Sequence, residues 1–185
     1  MKTKWIFLSV LLLLGVLTVF VQPQGSVAAA SDIRRGGPGG RGANGVGMSQ
    51  PVAATLTQQE SDALVEAVLE EALARDTYQL IADELGFAYP FTQIAKSEQQ
   101  HLNALLRQAQ QYGVVLPEIE NKAVLPAGVD TLTDACEFGV GFEKEDAALY
   151  DKLSPLTTSP SILRVYSRLQ SASLNNHLRI FETCN

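Results

Sequence analysis

Hydrophobic positions recur every three to four residues through four stretches beyond residue 55, which is the spacing of one helical face. Thr57 and Glu60 open the first stretch as a capping box, in which each side chain caps a backbone donor of the other, and Gly86 ends it. Pro90 suits the first position of the second stretch, and Gly113 ends that stretch. These signals predict the first two helices.

The third and fourth stretches predict a second pair of helices. The third runs over residues 132–153, and the fourth begins with Ser159 as N-cap and Pro160 in the first turn, then continues to near Thr183. Residues 114–131 hold two prolines and a glycine without a clean period, and no alternating strand pattern occurs anywhere. We therefore predict an all-α fold in which two helical hairpins, joined by one long crossover, form a four-helix bundle.

The first 55 residues have a different composition. Lys2 and Lys4 precede an apolar run over residues 5–21, and small residues at 27–30 suit cleavage after Ala30, so we predict a signal peptide over 1–30 and export. The run is just long enough to span a bilayer, so an uncleaved membrane anchor is the alternative. Seven glycines between Gly36 and Gly47 predict a flexible linker over 31–55. The helical domain then covers 56–185.

Charge narrows the classes of partner. The chain carries 20 acidic and 14 basic residues, a formal net charge of −6 at pH 7. An acidic surface argues against nucleic acid as a partner and favours the attraction of cations.

The two histidines of the chain occupy equivalent places in two related stretches. Ser97-Glu98-Gln99-Gln100-His101-Leu102 returns 76 residues later as Ser173-Leu174-Asn175-Asn176-His177-Leu178. Because residues three apart share a helical face, Glu98 and His101 lie side by side. Upstream of each stretch a Glu precedes a Tyr by seven residues, so the hairpin is duplicated; these pairs are Glu71 with Tyr78 and Glu143 with Tyr150.

The duplicated acids and imidazoles predict one metal site in the core. Its expected ligands are Glu71, Glu98, His101, Glu143 and His177. A mixture of carboxylates and imidazoles suits iron or manganese. Leu174 stands where the second Glu-x-x-His motif needs its acid. Asp146, three residues past Glu143, either supplies the missing oxygen ligand or is a surface acid.

These motifs carry a family resemblance over residues 57–185. Glu71-x-x-Ala74-Arg75-x-x-Tyr78 followed by Glu98-x-x-His101 resembles the helical domain of rubrerythrins and the wider ferritin-like superfamily. Residues 71–78, 91–101 and 176–179 are similar to those of an exported prokaryotic family of ferritin-like domains of unknown function. The resemblance implies a ferritin-like bundle that binds metal, and it carries no established activity. The chain has no Cys-x-x-Cys pair, so it lacks the rubredoxin-type iron site of rubrerythrins.

Two functions compete on this basis. The leading hypothesis is an exported ferritin-like metal-binding protein that oxidises ferrous iron or reduces peroxide at a di-iron or mononuclear centre. Its partners would be metal ions, O2 or peroxide, and an external electron donor, with homodimerisation left open. The alternative is a non-catalytic exported helical module that holds one structural ion or none and acts through protein partners.

The two cysteines and the two tyrosines of the repeated motif have predicted structural roles. Cys136 lies seven residues before Glu143, and Cys184 lies seven residues after His177. If that Glu and that His share one layer on antiparallel helices, both sulfurs lie at the same height, so we predict a disulfide between them. Tyr78 and Tyr150 are either hydrogen-bond donors to the ligating carboxylates or ordinary core aromatics.

Overall fold

The computed structural model describes residues 55–184, and within this range it contains helices and no strand. The all-α prediction is therefore confirmed. The signal peptide predicted over 1–30 and, apart from Thr55, the linker predicted over 31–55 lie outside the described residues. No helix within 55–184 is both long and apolar enough to cross a membrane.

The first two helices begin and end where the local signals predict. Helix α1 spans Gln58–Leu85, with the capping box of Thr57 and Glu60 formed and Gly86 in the left-handed region at its end. Helix α2 spans Ala88–Tyr112. Tyr89 has extended backbone angles, so the regular part of α2 begins at Pro90. Gly113 ends α2 with a φ of 66°, a conformation that a residue with a Cβ rarely adopts.

The second pair consists of helix α3 and a fourth rod that is built from three consecutive helical segments. Helix α3 spans Leu132–Leu153 and is capped by Thr131. Helix α4 spans Pro160–Ala172, a π-helical turn follows over Ser173–His177, and α5 spans Leu178–Glu182. The backbone stays right-handed helical at both junctions, so α4, this π segment and α5 form one continuous rod.

The helices pair as two hairpins that contact each other. Helix α1 packs along α2, and α3 packs along α4, the π segment and α5. Contacts between α1 and α3 and between α2 and α4 join the hairpins. Helix α3 approaches α5 closely at Gly139, where an added Cβ would lie 2.6 Å from the ring of Phe181.

Two apolar clusters fill the interior, and each of the four rods contributes to both, the fourth rod through α4 to one cluster and through α5 to the other. One cluster takes the beginning of α1 and the end of α2, and the other takes the end of α1 and the beginning of α2. On each of the four rods the predicted ligands fall between the two clusters. The candidate site is thus a polar layer enclosed above and below by apolar side chains.

The carboxylate of Glu60 ties the start of α1 to the residues that precede α4. One of its oxygens accepts from the backbone N–H of Thr57 (2.8 Å), and the other accepts from the backbone N–H of Thr158 (2.8 Å). These bonds lower the pKa of Glu60 to about 2. The contact holds the two hairpins together at the end where both α1 and α4 begin.

Candidate metal centre

The five predicted ligand residues form two groups in the polar layer. Each group holds two acids and one histidine whose ligand atoms lie within 4.8 Å of one another, and all of the residues are buried. The groups are Glu71 with Glu98 and His101, and Glu98 with Glu143 and His177. The two groups therefore share Glu98.

Glu98 spans the two groups with its two oxygens. Its Oε2 lies 2.7 Å from Nδ1 of His101, and its Oε1 lies 2.9 Å from Nδ1 of His177. Glu71 Oε2 lies 3.3 Å from the first of these nitrogens, and Glu143 Oε2 lies 3.3 Å from the second. The two halves are thus near copies of each other around a central carboxylate, as expected of a duplicated hairpin.

Within residues 55–184, several buried polar atoms of this layer make no hydrogen bond of good geometry, although each Nδ1 lies within 3.3 Å of two carboxylate oxygens. They are Glu71 Oε2, Glu98 Oε2, His101 Nδ1, His177 Nδ1 and Asp146 Oδ1. Buried polar atoms are nearly always satisfied, so a cluster of exceptions calls for a partner. Oxygens of carboxylates and unprotonated imidazole nitrogens are ligand atoms for transition metals, so bound metal would give a partner to those atoms that belong to the two groups.

Each tyrosine of the duplicated pairs holds a carboxylate of the other hairpin. The Tyr78 hydroxyl donates to Oε1 of Glu143 (2.6 Å), and the Tyr150 hydroxyl donates to Oε1 of Glu71. Both tyrosines are fully buried. The bonds leave the second oxygen of each acid facing the histidines, which is the orientation that a metal ligand needs.

Electrostatics in the layer favour protonated imidazoles when no cation is bound. Burial lowers the pKa of His101 and of His177, but contacts with two carboxylates each outweigh it and raise both values to about 10. Burial raises the pKa of Glu98, and its contacts with the two imidazoles bring the value down to about 2. Protons on the histidines therefore partly balance the buried negative charge, a role that a metal cation would take over.

The other acids of the layer are held less firmly in their charged form. Burial raises the pKa of Glu71 to about 7, and it also raises the pKa of Glu143. Burial and the neighbouring Glu71 raise the pKa of Asp146 well above its ordinary range. Desolvated carboxylates without enough positive charge around them respond in this way.

Asp146 is buried beside the two groups and belongs to neither. Its Oδ2 accepts a hydrogen bond from the Ser173 hydroxyl (2.6 Å), and its Oδ1 has no hydrogen-bond partner. Asp146 is 4% exposed, so the alternative prediction that it is a surface acid is wrong. One of its oxygens is free to act as a ligand.

The π segment decides which residues of the fourth rod face the layer. Leu174, which replaces the second acid in the sequence motif, is 40% exposed and lies outside the layer. Ser173 is fully buried, and its hydroxyl reaches Asp146. The inward position four residues before His177 is therefore filled by a serine paired with an acid from α3. π turns of this kind frequently occur at functional sites.

Three features of the layer were not assigned from the sequence. They are the crossing of the tyrosine bonds between hairpins, the contact of Ser173 with Asp146, and the position of Ser97 beside both imidazoles. The 76-residue interval already pairs Ser97 with Ser173. That equivalence was the available signal for both serines.

This chain is similar, in sequence and in structure, to a protein that is described as uncharacterized. The chain is 28% identical over 141 residues to "Uncharacterized protein MJ0754" of Methanocaldococcus jannaschii, covering 68% of this chain and 75% of that protein. It is also similar to the crystal structure of hypothetical protein MJ0754 from Methanococcus jannaschii DSM 2661, with a TM-score of 0.60, 28% identity, and coverage of 69% of this chain and 80% of that one.

A family model also matches most of the helical part, over residues 60–184. The matched range contains both ligand groups, the π segment and both cysteines. This chain belongs to the family described as "Uncharacterized protein domain (DUF2202)".

Proposed function

We propose that this chain is an exported metal-binding protein with a ferritin-like bundle, which holds a pair of iron or manganese ions in its polar layer. The observation that carries the proposal is the pair of buried ligand groups that share Glu98. Each group offers two carboxylates and one imidazole nitrogen, the same kinds of ligand as in di-iron and di-manganese bundles, although the two groups together hold three Glu where those bundles hold four. One ion would be held by Glu71, Glu98 and His101, and the other by Glu98, Glu143 and His177.

Charge balance supports two divalent ions. The layer contains four buried carboxylates, namely Glu71, Glu98, Glu143 and Asp146. Two divalent cations would neutralise these four charges while both histidines bind in the neutral form that coordination requires. Without cations the same burial would be costly, and the raised pKa values of Glu71 and Asp146 reflect that cost.

The residues around the polar layer are suited to a redox reaction with a small oxidant, O2 or peroxide. A bound iron or manganese pair would supply one-electron chemistry toward O2 or peroxide. Tyr78 and Tyr150 orient the acids, and the two apolar clusters exclude water from the ligand atoms. Because the chain has no Cys-x-x-Cys pair, electrons would come from an external donor. Oxidation of ferrous iron or reduction of peroxide is the activity that this set of residues supports.

Export is the proposed setting for this activity. The charged residues at 2 and 4, the apolar run over 5–21 and the alanines at 28–30 have the order of a secretory signal. The bond between Cys136 and Cys184 fits an oxidising compartment, where disulfides persist.

Metal analysis tests the proposal directly. Protein purified without chelator or nickel resin should carry about two equivalents of iron or manganese per chain, by analogy with dinuclear bundles. Replacing His101 and His177 together by Ala should abolish stoichiometric metal, since both groups lose their nitrogen ligand. Undiminished metal in that variant would refute the site, and a single equivalent in the native protein would favour the alternative of a structural ion in a non-catalytic module.

A matched pair of acids on α3 controls for unspecific loss of charge. Glu143 is buried in the polar layer, whereas Glu145 is exposed two residues later. Glu143→Gln should lower the bound metal, and Glu145→Gln should leave it unchanged. Equal losses in both variants would show that metal is held by the acidic surface.

A further inference from the structure

One hydroxyl lies on the outer side of both imidazoles. Ser97 Oγ is 2.9 Å from Nε2 of His177 and 3.5 Å from Nε2 of His101, the second contact being at the outer limit of a hydrogen bond. The two rings stack with centroids 5.3 Å apart and planes 20° from parallel. Both rings thus point Nδ1 at the acids and Nε2 at the same serine.

The protons of metal-bound histidine fit this arrangement. A neutral imidazole that binds a metal through Nδ1 carries its proton on Nε2, so each of the two rings becomes a donor on its outer side. A hydroxyl oxygen has two lone pairs and can accept from both donors. Ser97 is the residue of α2 that the contacts place between them.

We propose that Ser97 is a positioning residue: its oxygen accepts a hydrogen bond from Nε2 of each histidine and so fixes Nδ1 of both toward the metal. This role rests on the proposed function of the layer. Without the hydroxyl, a ring that turns over about its Cβ–Cγ bond exchanges Nδ1 for a carbon and loses no partner on its outer side. The metal would then have to order both rings on its own, and its affinity would fall.

Ser173, the duplicate of Ser97, has different partners, so we assign the positioning of the histidines to Ser97. Ser173 occupies the equivalent place 76 residues later, but its hydroxyl donates to Oδ2 of Asp146 (2.6 Å), with the backbone oxygen of Leu169 as a more distant acceptor of the same proton (3.2 Å). One serine therefore serves both histidines, and the other serves the additional acid. The π segment accompanies this difference, because Ser173 is its first residue and His177 its last.

Titration with Mn²⁺, followed by the electron paramagnetic resonance signal of the free ion, tests the role. Ser97→Ala should weaken binding by about 10- to 100-fold, the usual effect of removing a partner of a metal-bound histidine. Ser97→Thr keeps the hydroxyl and should stay within about threefold of the native affinity. Ser171→Ala is the matched control, since Ser171 is exposed on the rod that carries His177, and within residues 55–184 Asn175 is the one side chain that its hydroxyl contacts.

Crystal structures of the Mn²⁺-soaked proteins separate positioning from a general loss of packing. In the native protein both Nδ1 atoms should bind Mn²⁺, with Ser97 Oγ within about 3.2 Å of both Nε2 atoms. In Ser97→Ala at least one ring should be turned over or occupy two orientations. Native affinity with unchanged rings in Ser97→Ala would overturn the role of Ser97, as would a Thr variant that is as impaired as the Ala variant. Native protein that binds no Mn²⁺ or iron would instead overturn the proposed function on which this role rests.

Discussion

At the level of single side chains, the crossed tyrosine bonds connect the two hairpins through the candidate ligands Glu71 and Glu143. Tyr78 belongs to the first hairpin and holds Glu143 of the second, while Tyr150 of the second holds Glu71 of the first. A buried carboxylate oxygen that loses its donor has no water to replace it, so the bond matters more than an exposed one. The tyrosines therefore contribute to stability and to ligand orientation together.

Removal of one of these hydroxyls should destabilise the protein measurably. Tyr150→Phe leaves Oε1 of Glu71 without its donor, so we expect the free energy of unfolding of metal-free protein to fall by about 1–3 kcal/mol. Urea denaturation measures this. Tyr166→Phe is the control, because Tyr166 is also fully buried, its ring lies 5.3 Å from that of Tyr150, and its hydroxyl has no hydrogen-bond partner. Equal losses in both variants would show that the Tyr150 bond is not what matters.

The stability of metal-free protein should fall as the pH rises. Contacts with carboxylates outweigh burial and raise the pKa of His101 and His177 from 6.5 to about 10, and burial raises that of Glu71 from 4.5 to about 7. A group with a raised folded pKa stabilises fully below its unfolded pKa and loses this contribution as the pH passes its folded pKa. Chelator-treated protein should therefore unfold at lower urea at about pH 9 than at about pH 6. A midpoint that is unchanged or rises over this range would contradict the assignment.

The residues that cluster in the polar layer could be predicted from residue types, whereas their hydrogen-bond partners could not. His101 and His177 are the only imidazoles of the chain, and a duplicated register left few acids to accompany them. The sequence left two interpretations of Asp146 open. Helical spacing shows which face of α3 a residue lies on, but it does not show whether another helix covers that face. For Ser97 the available signal was its equivalence with Ser173 in the repeated stretch, and that equivalence does not say what the hydroxyl contacts.

At the level of helices, termini were predictable because their signals are local. Thr57 and Glu60 form the expected capping box, and Gly86 and Gly113 adopt the left-handed conformation that ends a helix. The π segment was not predicted, because an extra residue in a helical turn leaves no mark in composition. The π segment turns Leu174 outward. Although Leu174 replaces the acid of the sequence motif, its apolar side chain therefore lies outside the layer.

The close approach of α3 to α5 makes Gly139 sensitive to substitution. A Cβ at this position would lie 2.6 Å from the ring of Phe181, a buried residue of α5. We expect Gly139→Ala to lower the free energy of unfolding by about 1–3 kcal/mol through overpacking. The measurement is thermal or urea unfolding.

A double-mutant cycle controls for the helix propensity of the new alanine. Phe181→Leu removes the ring that the added methyl group meets, so the cost of Gly139→Ala should shrink in that background. Additive effects of the two substitutions would mean that the helices separate freely and that no clash occurs.

At the level of the whole molecule, the polar layer lies between two apolar clusters that carry the folding free energy. Buried acids in that place cost stability when no cation neutralises them, and apolar burial on both sides offsets the cost. The all-helical architecture could be predicted from hydrophobic spacing. The enclosure of the layer follows from the buried acids and histidines, which interrupt the apolar face midway along each rod. The proposed ions should therefore raise the unfolding temperature, because a ligand that binds only the folded state stabilises it.

The bond between Cys136 and Cys184 ties the C-terminal end of the chain to the beginning of α3. The two residues are 48 apart in sequence, and their Cα atoms lie 6.1 Å apart, within the usual range for a disulfide. By closing this loop the bond restricts the unfolded chain, so reduction should lower the free energy of unfolding by about 3–4 kcal/mol on the chain-entropy model. Unfolding with and without reductant measures the loss, and intact mass after alkylation checks the bond in the purified protein. Two alkylated thiols without prior reduction would show that the protein lacks the bond. A Cys136→Ala, Cys184→Ala variant should match the reduced protein in stability, because both open the same loop.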